Sequence, residues 1–185
     1  MMVIVPRIAV VSCLSATPFI YGIRQEDSFS AELLLLDIQE TVRAFSERRA
    51  DIALLPAGAV PHLADARIVT EYCIGGVAAE LKSLLESTDP LVEAWKPYGK
   101  LPCAFALWVA HPEVSSETVE SLRSALIRGL ERPYEALLES PWAADPGEAY
   151  AELSRFDYIF DTQKDKALKK FWDSGLKVAP RTNPG

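Results

Sequence analysis

Short apolar runs alternate with amphipathic stretches along the first half of the chain. Ile8-Ala9-Val10-Val11 is rich in β-branched residues and reads as a buried strand. Ser12 to Pro18 follows, and small hydroxyl residues before a proline predict a strand-to-helix turn with Pro18 in the first helical turn. A second strand is expected within Phe29 to Leu36. Asp37 and Glu40 then resemble a capping box opening a helix with Ile38, Val42 and Phe45 on one face. Arg48 and Arg49 suit the negative end of that helix. Asp51 to Pro56 predicts a third buried strand. Ile68-Val69 and Cys73-Ile74 are two weaker strand candidates, and Gly75-Gly76 punctuates the chain. The order β-α-β-α-β implies an α/β fold, a mostly parallel sheet flanked by helices.

The rhythm breaks after Gly76. Val77 to Leu85 and Asp89 to Tyr98 predict two short helices with no strand between them. Phe105 to Ala110 predicts a further strand. Ser115 or Ser116 caps a helix carrying Val119, Leu122, Leu126 and Leu130 on one face. Pro133 opens a short helix through Leu138, and Pro141 to Gly147 reads as a loop. Asp161 or Thr162 caps a last helix with Leu168, Phe171 and Trp172, stopped at Gly175. Lys164, Lys166, Lys169 and Lys170 read as its solvated face. Residues 180–185 read as a frayed tail.

Charge narrows the function classes. Among 185 residues, 19 are Lys or Arg and 26 are Asp or Glu, a formal charge of −7. Binding to phosphate backbones needs the opposite surplus, so nucleic acid and anionic membrane surfaces are unexpected partners. No apolar run approaches the roughly 20 residues that span a bilayer. Met1 to Val5 is too short for a signal peptide, which leads us to expect a cytosolic protein. Cys13, Cys73 and Cys103 are odd in number and widely spaced, so neither a disulfide framework nor a zinc site is expected. His62 and His111 have no ligand-spaced neighbours, so we expect no metal and no cofactor.

No strong catalytic motif stands out, and two histidines in loop contexts make a Ser-His-Asp triad improbable. Three segments carry candidate chemistry, because each sits at the C-terminal end of a predicted strand, where open α/β sheets bind ligands. Ser12 to Thr17 could hold a carboxylate on free helix-start N–H groups, or simply cap the helix. Pro56-Ala57-Gly58-Ala59 could let a ligand approach the backbone, although an ordinary tight turn is the commoner use. Tyr72 to Gly76 contains Cys73, which reads as a small buried hydrophobe rather than a nucleophile.

Five stretches in order, Arg7 to Phe19, Asp51 to Ala59, Ile68 to Gly75, Glu93 to Trp95 and Leu101 to Ala110, resemble the chorismate dehydratases of the futalosine route to menaquinone. Tyr158 to Trp172 is also similar. The resemblance implies a lobe like those of type II periplasmic binding proteins and a cofactor-free hydro-lyase. Such an enzyme converts chorismate to 3-[(1-carboxyvinyl)oxy]benzoate, with the substrate's own enolpyruvyl carboxylate as base. It implies Ser15 as the catalytic position, with Ser12, Ala16, Ala57, Ile74 and Gly75 contacting substrate. Two departures follow. The family's first turn reads Ser-Tyr-Leu-Asn where this chain has Ser12-Cys13-Leu14-Ser15, and a serine hydroxyl is shorter than an amide. The second lobe, with its Ser and its Ser-Arg-Thr-Ser run, has no counterpart in the roughly two dozen residues after Gly76, too few for a lobe with its own sheet. We therefore expect one discontinuous lobe from 1–76 and 101–178, a helical connection over 77–100 replacing a reduced or absent second lobe, and a tail over 179–185. Activity is expected to be reduced or lost. Residues 77–96 or a second copy of the chain, as a homodimer, are candidate covers for the bare cleft face. Two other readings stay open: a non-catalytic one-lobe binder of a small aromatic carboxylate, and a functionless remnant.

Overall fold

Runs of β-branched and leucine residues that cannot satisfy their backbone groups in an apolar interior pair into one six-stranded sheet. A computed structural model describes residues 5–25, 29–81, 90–95 and 100–173. The strands are β1 (Arg7–Val11), β2 (Glu32–Leu36), β3 (Ile52–Pro56), β4 (Arg67–Val77), β5 (Pro102–Ala110) and β6 (Asp157–Ile159), in the order β2-β1-β3-β5-β4-β6. β1 pairs parallel with β2 and β3. β5 runs antiparallel to both β3 and β4, and β6 antiparallel to β4. Four strands, β2, β1, β3 and β4, therefore point the same way, and β5 is the return strand set among them.

Helices α1 (Thr17–Gln25), α2 (Ile38–Ser46), α3 (Pro90–Glu93), α4 (Ser116–Glu131), α5 (Pro133–Leu138), α6 (Pro146–Leu153) and α7 (Thr162–Asp173) flank the sheet. Asp37 caps α2 by accepting the Glu40 N–H at 2.8 Å, as its spacing predicts. Val42 and Phe45 on the inner face of α2 are buried, each contributing roughly 1.5–3 kcal/mol of transfer free energy. Ser115 caps α4, whose buried face carries Leu122, Ala125, Leu126 and Gly129. α1 crosses α4 almost backbone to backbone. A Cβ on Gly129 would lie 1.8 Å from the Pro18 carbonyl oxygen, and one on Gly22 2.0 Å from that of Ala125. This glycine pair fixes how α1, and the turn leading into it, sits on the sheet.

The structure corrects several expectations. Ile68-Val69 and Cys73-Ile74 belong to one eleven-residue strand, not two. Its register with β5 shifts between Ile68 and Cys73, where the Thr70 hydroxyl bonds the Tyr72 backbone in place of the ladder. Part of the expected 141–147 loop opens helix α6, because Asp145 caps it through the N–H groups of Gly147 and Glu148. Strand β6 was not expected at all. Its alternation is three residues long, and pairing with β4 decides it. Within 77–100, the described residues form a 3-10 turn (Ala78–Leu81) and the single helical turn α3. The rest of both predicted helices lies outside the described residues, as do Gly175 and the tail. Leu91, Val92 and Trp95 are buried in the same core as the sheet, with Trp95 stacked on Phe171 at 4.0 Å and edge-on to Phe105 at 6.2 Å. Residues before Val77 and after Pro102 thus share one sheet. No described helix is long and apolar enough to cross a membrane.

Candidate ligand site at the sheet rim

The register of the ladder brings the three flagged turns to one row. Pro56 and Ile74 both lie opposite Ala106, from the two sides of β5. Val10 pairs with Leu54, and continuing that offset sets Ser12 level with Pro56. Ser12, Pro56, Ala106 and Ile74 therefore form a line across four adjacent strands, about 14 Å long at the usual spacing. Ala57, Gly75 and the Ser12-to-Thr17 turn stand at the same rim, at the C-terminal ends of like-pointing strands. The level of the third turn was not visible in the spacing of residues along the chain, since it depends on β5 returning between β3 and β4.

The rim is covered. Ser12 is half-buried, while Ser15 is 1% exposed and Ala57 1%, and Ala16, Ile74 and Gly75 are buried as well. The Ser15 hydroxyl lies 3.2 Å from the Cys13 sulfur, inside its own turn. One C-terminal segment, β6 with α7, reaches all three turns. The Tyr158 hydroxyl donates to the Ser15 carbonyl at 2.8 Å, and the Trp172 indole N–H donates to the Ala57 carbonyl at 2.8 Å. β6 pairs with β4, setting Asp157 opposite Gly75. The glycine at 75 is explained by that closeness. An added Cβ would sit 2.6 Å from the Cys103 oxygen, 2.8 Å from the Asp157 oxygen and 2.9 Å from Lys164 Cε. Gly76 needs its glycine for a different reason, a φ of +148°.

Lys164 corrects the expectation of a solvated lysine face. Lys166, Lys169 and Lys170 are exposed, but the Lys164 side chain is 2% exposed. Its ammonium donates to Asp157 Oδ2 at 2.5 Å and lies 3.4 Å from Asp161 Oδ2. Burial pushes this ammonium down, but the hydrogen bond and charge of Asp157, joined by Asp161, outweigh it and hold the group above the ordinary lysine range. The backbone N–H of Lys164, joined by its charge, holds Asp161 below the usual carboxylate range. The signal was present in the sequence. Lys164, Leu168 and Phe171 stand at i, i+4 and i+7, on the buried stripe of α7. Tyr158 and Trp172 had no such signal, because each is defined by a carbonyl more than a hundred residues away.

Other chemistry is ruled out by place. Burial pushes the Cys73 thiol well up, and that of Cys103 up to about 12, so neither is a thiolate nucleophile. His111 is buried, stacked on Phe45 at 3.9 Å with Nε2 at 2.9 Å from the Phe45 oxygen. It follows the end of β5, at the rim opposite Ser15, so the two form no triad. A cavity of about 610 Å³ opens at that opposite rim beside Arg7, Arg48, Asp51, His111 and Glu113. Its guanidinium groups are taken, Arg7 by Asp51 and Arg48 by Asp65 and Glu113. Among the described residues no cluster of His, Cys, Asp or Glu could hold a metal ion.

No protein-family model matches the chain, and no curated protein matches it in sequence. Solved structures do. Protein AF1704 of Archaeoglobus fulgidus is similar with a TM-score of 0.68 and 15% identity, over 92% of this chain and 98% of that one. The CA3427 gene product of Candida albicans, described as exhibiting the generic periplasmic binding protein structural fold, gives 0.61 and 8%, over 92% and 91%. This chain has a periplasmic-binding-protein-like fold. The alkanesulfonate-binding protein SsuA of Xanthomonas axonopodis pv. citri, solved bound to MOPS, shares that fold with a TM-score of 0.56 and 11% identity, over 96% and 94%. The periplasmic-binding-protein-like fold thus rests on these likenesses and agrees with the arrangement of the strands. At these identities the likeness carries architecture and no chemistry.

Proposed function

We propose that this chain is a cytosolic chorismate dehydratase-like lyase of menaquinone biosynthesis. It takes chorismate to 3-[(1-carboxyvinyl)oxy]benzoate and water, at a low rate. The observation that carries this reading is the row of turns. Ser12 to Thr17, Pro56 to Ala59 and Cys73 to Gly76 meet at one rim of the sheet, which supports the reading. Ser12, half-buried, supplies the hydroxyl within reach of a carboxylate, and the buried Ser15, Ala57, Ile74 and Gly75 stand behind it. The enolpyruvyl carboxylate of the substrate takes the proton, so the protein orients the ring and excludes water. The low rate follows from Ser15 being held in its turn with Cys13, and from the single sheet among the described residues. Incubation at high protein concentration with chorismate, read by product chromatography, tests the proposal. No product above the uncatalysed background overturns the lyase.

The same row of turns supports a second reading, a non-catalytic binder of a small aromatic carboxylate. It expects chorismate to raise the melting temperature with no turnover, and the rise to shrink in Ser15→Val.

A further inference from the structure

A strand at the end of a sheet keeps one row of backbone groups free for another strand, and the two ends of this sheet treat that row differently. β6, at one end, is three residues long, with Asp157 and Ile159 exposed. A short edge carrying a carboxylate resists pairing. β2, at the other end, is five residues long and reads Glu32-Leu33-Leu34-Leu35-Leu36. It has no Pro, Lys or Gly, and its register with β1 runs unbroken over all five residues. Its four leucines are only half-buried. We infer that this edge is an interface between two copies of the chain, which pair β2 to β2 antiparallel about a twofold axis at Leu34. This goes beyond the activity proposed above and does not depend on it.

The direction of the backbone groups carries the inference. The Glu32 N–H donates to the Pro6 carbonyl at 2.9 Å, and the Ser12 N–H donates to the Leu36 carbonyl at 2.8 Å. Alternate residues of a strand direct their N–H and C=O to opposite sides. Glu32, Leu34 and Leu36 therefore face β1, while Leu33 and Leu35 turn both groups to the open edge. Among the described residues, β1 is the one strand paired with β2. The two free residues flank Leu34 symmetrically, so a twofold axis there sets Leu33 of each copy opposite Leu35 of the other. Opposed residues of this kind exchange both N–H···O bonds, which gives four between the copies. The edge is thus complementary to itself, as a twofold interface requires. Leu34 meets its own counterpart, so the half-exposed leucines cover one another across the join. Glu32, the one charge in the strand, stands two residues from the axis. The two copies of that carboxylate are then about 14 Å apart, beyond a Debye length of roughly 10 Å. Each copy keeps only the short β6 as an outer edge, so assembly stops at two. A strip about 17 Å long and one strand wide falls short of the roughly 800 Å² per copy of a standard interface, so the dimer forms reversibly.

The test is sedimentation of the full chain from micromolar to hundreds of micromolar. Wild type is expected to pass from monomer to dimer and no further. Leu34→Lys and Leu34→Glu each set like charges together on the axis, and each is expected to weaken the dimer more than about tenfold. Mixing the two variants is expected to restore it, because opposite charges then meet at position 34. A mere loss of folding would not give that rescue. Ile159→Lys, on the other edge, is expected to leave the dimer unchanged. Residue-resolved amide exchange on wild type needs no variant to fold. Protection of the Leu33 and Leu35 N–H groups is expected to rise with concentration far more than that of Leu34 and Leu36, which already bond β1. A wild type that stays monomeric or grows past two copies overturns the inference. So does a dimer that survives both Leu34 variants or is lost in Ile159→Lys, a mixture of folded variants that stays monomeric, or Leu33 and Leu35 amides that stay open in the dimer.

Discussion

The ion pair between Lys164 and Asp157 is lopsided, and that gives a sharp expectation. The lysine side chain is 2% exposed and the aspartate side chain 51%. At an effective dielectric near 20, unit charges 2.5 Å apart attract by about 7 kcal/mol, against a desolvation penalty of several kcal/mol borne mainly by the buried partner. Removing the aspartate charge in Asp157→Asn strands the ammonium with Asp161 alone, 3.4 Å away. The expected loss is about 2 kcal/mol, below the roughly 3–5 kcal/mol of a fully uncompensated buried charge because Asp161 remains. Removing the lysine instead, as Lys164→Met, leaves two half-exposed carboxylates that regain water and an apolar side chain of similar length in an apolar slot. That loss is expected below about 1 kcal/mol. Urea unfolding followed by tryptophan fluorescence measures both. The pH dependence follows from the direction of each shift. The lysine is held above its ordinary value, so its contribution is complete below the unfolded lysine value and fades as pH rises through the folded one. Asp161 is held low, so its contribution fades as pH falls through its folded value. The Asp157→Asn penalty should therefore be level across neutral pH and shrink in strong alkali. Lys164→Met destabilising as much as Asp157→Asn would refute the reasoning.

Three further outcomes are expected. Gly129→Ala should cost upward of about 3 kcal/mol in the same unfolding assay, since its methyl meets the Pro18 carbonyl, a backbone group that cannot step aside; a loss under about 1 kcal/mol would show that α1 and α4 slide freely. Cys73 and Cys103 should resist thiol alkylation at neutral pH in the native state while Cys13, half-buried, reacts first, because burial keeps both thiols protonated; peptide mapping after timed labelling decides it. Asp51→Ala should destabilise near neutral pH and have little effect in acid. Burial raises its carboxyl, but the Arg7 guanidinium and backbone N–H outweigh that and hold it low, so its contribution is lost as pH falls through the folded value.

The sequence by itself determined the elements whose signals are local. Asp37 and Ser115 announced their helices because a cap is a bond between residues three apart. Ile8 to Val11 and Ile52 to Pro56 announced buried strands because both faces of a central strand are apolar. The order of these elements was enough to expect an α/β sheet of this type, and the small residues at three strand ends were enough to mark candidate turns. Tertiary structure decided the rest, for one reason: long-range pairing is not encoded in any short window. Pairing of β1 with β3 set the first two turns level, and the return of β5 between β3 and β4 brought the third into line. Pairing with β4 made a strand of Asp157 to Ile159. The same pairing carried Lys164 into the interior, although its neighbours in sequence stay wet. The cover over the rim likewise came from Tyr158 and Trp172, each bonded to a carbonyl that the chain brings near only when folded.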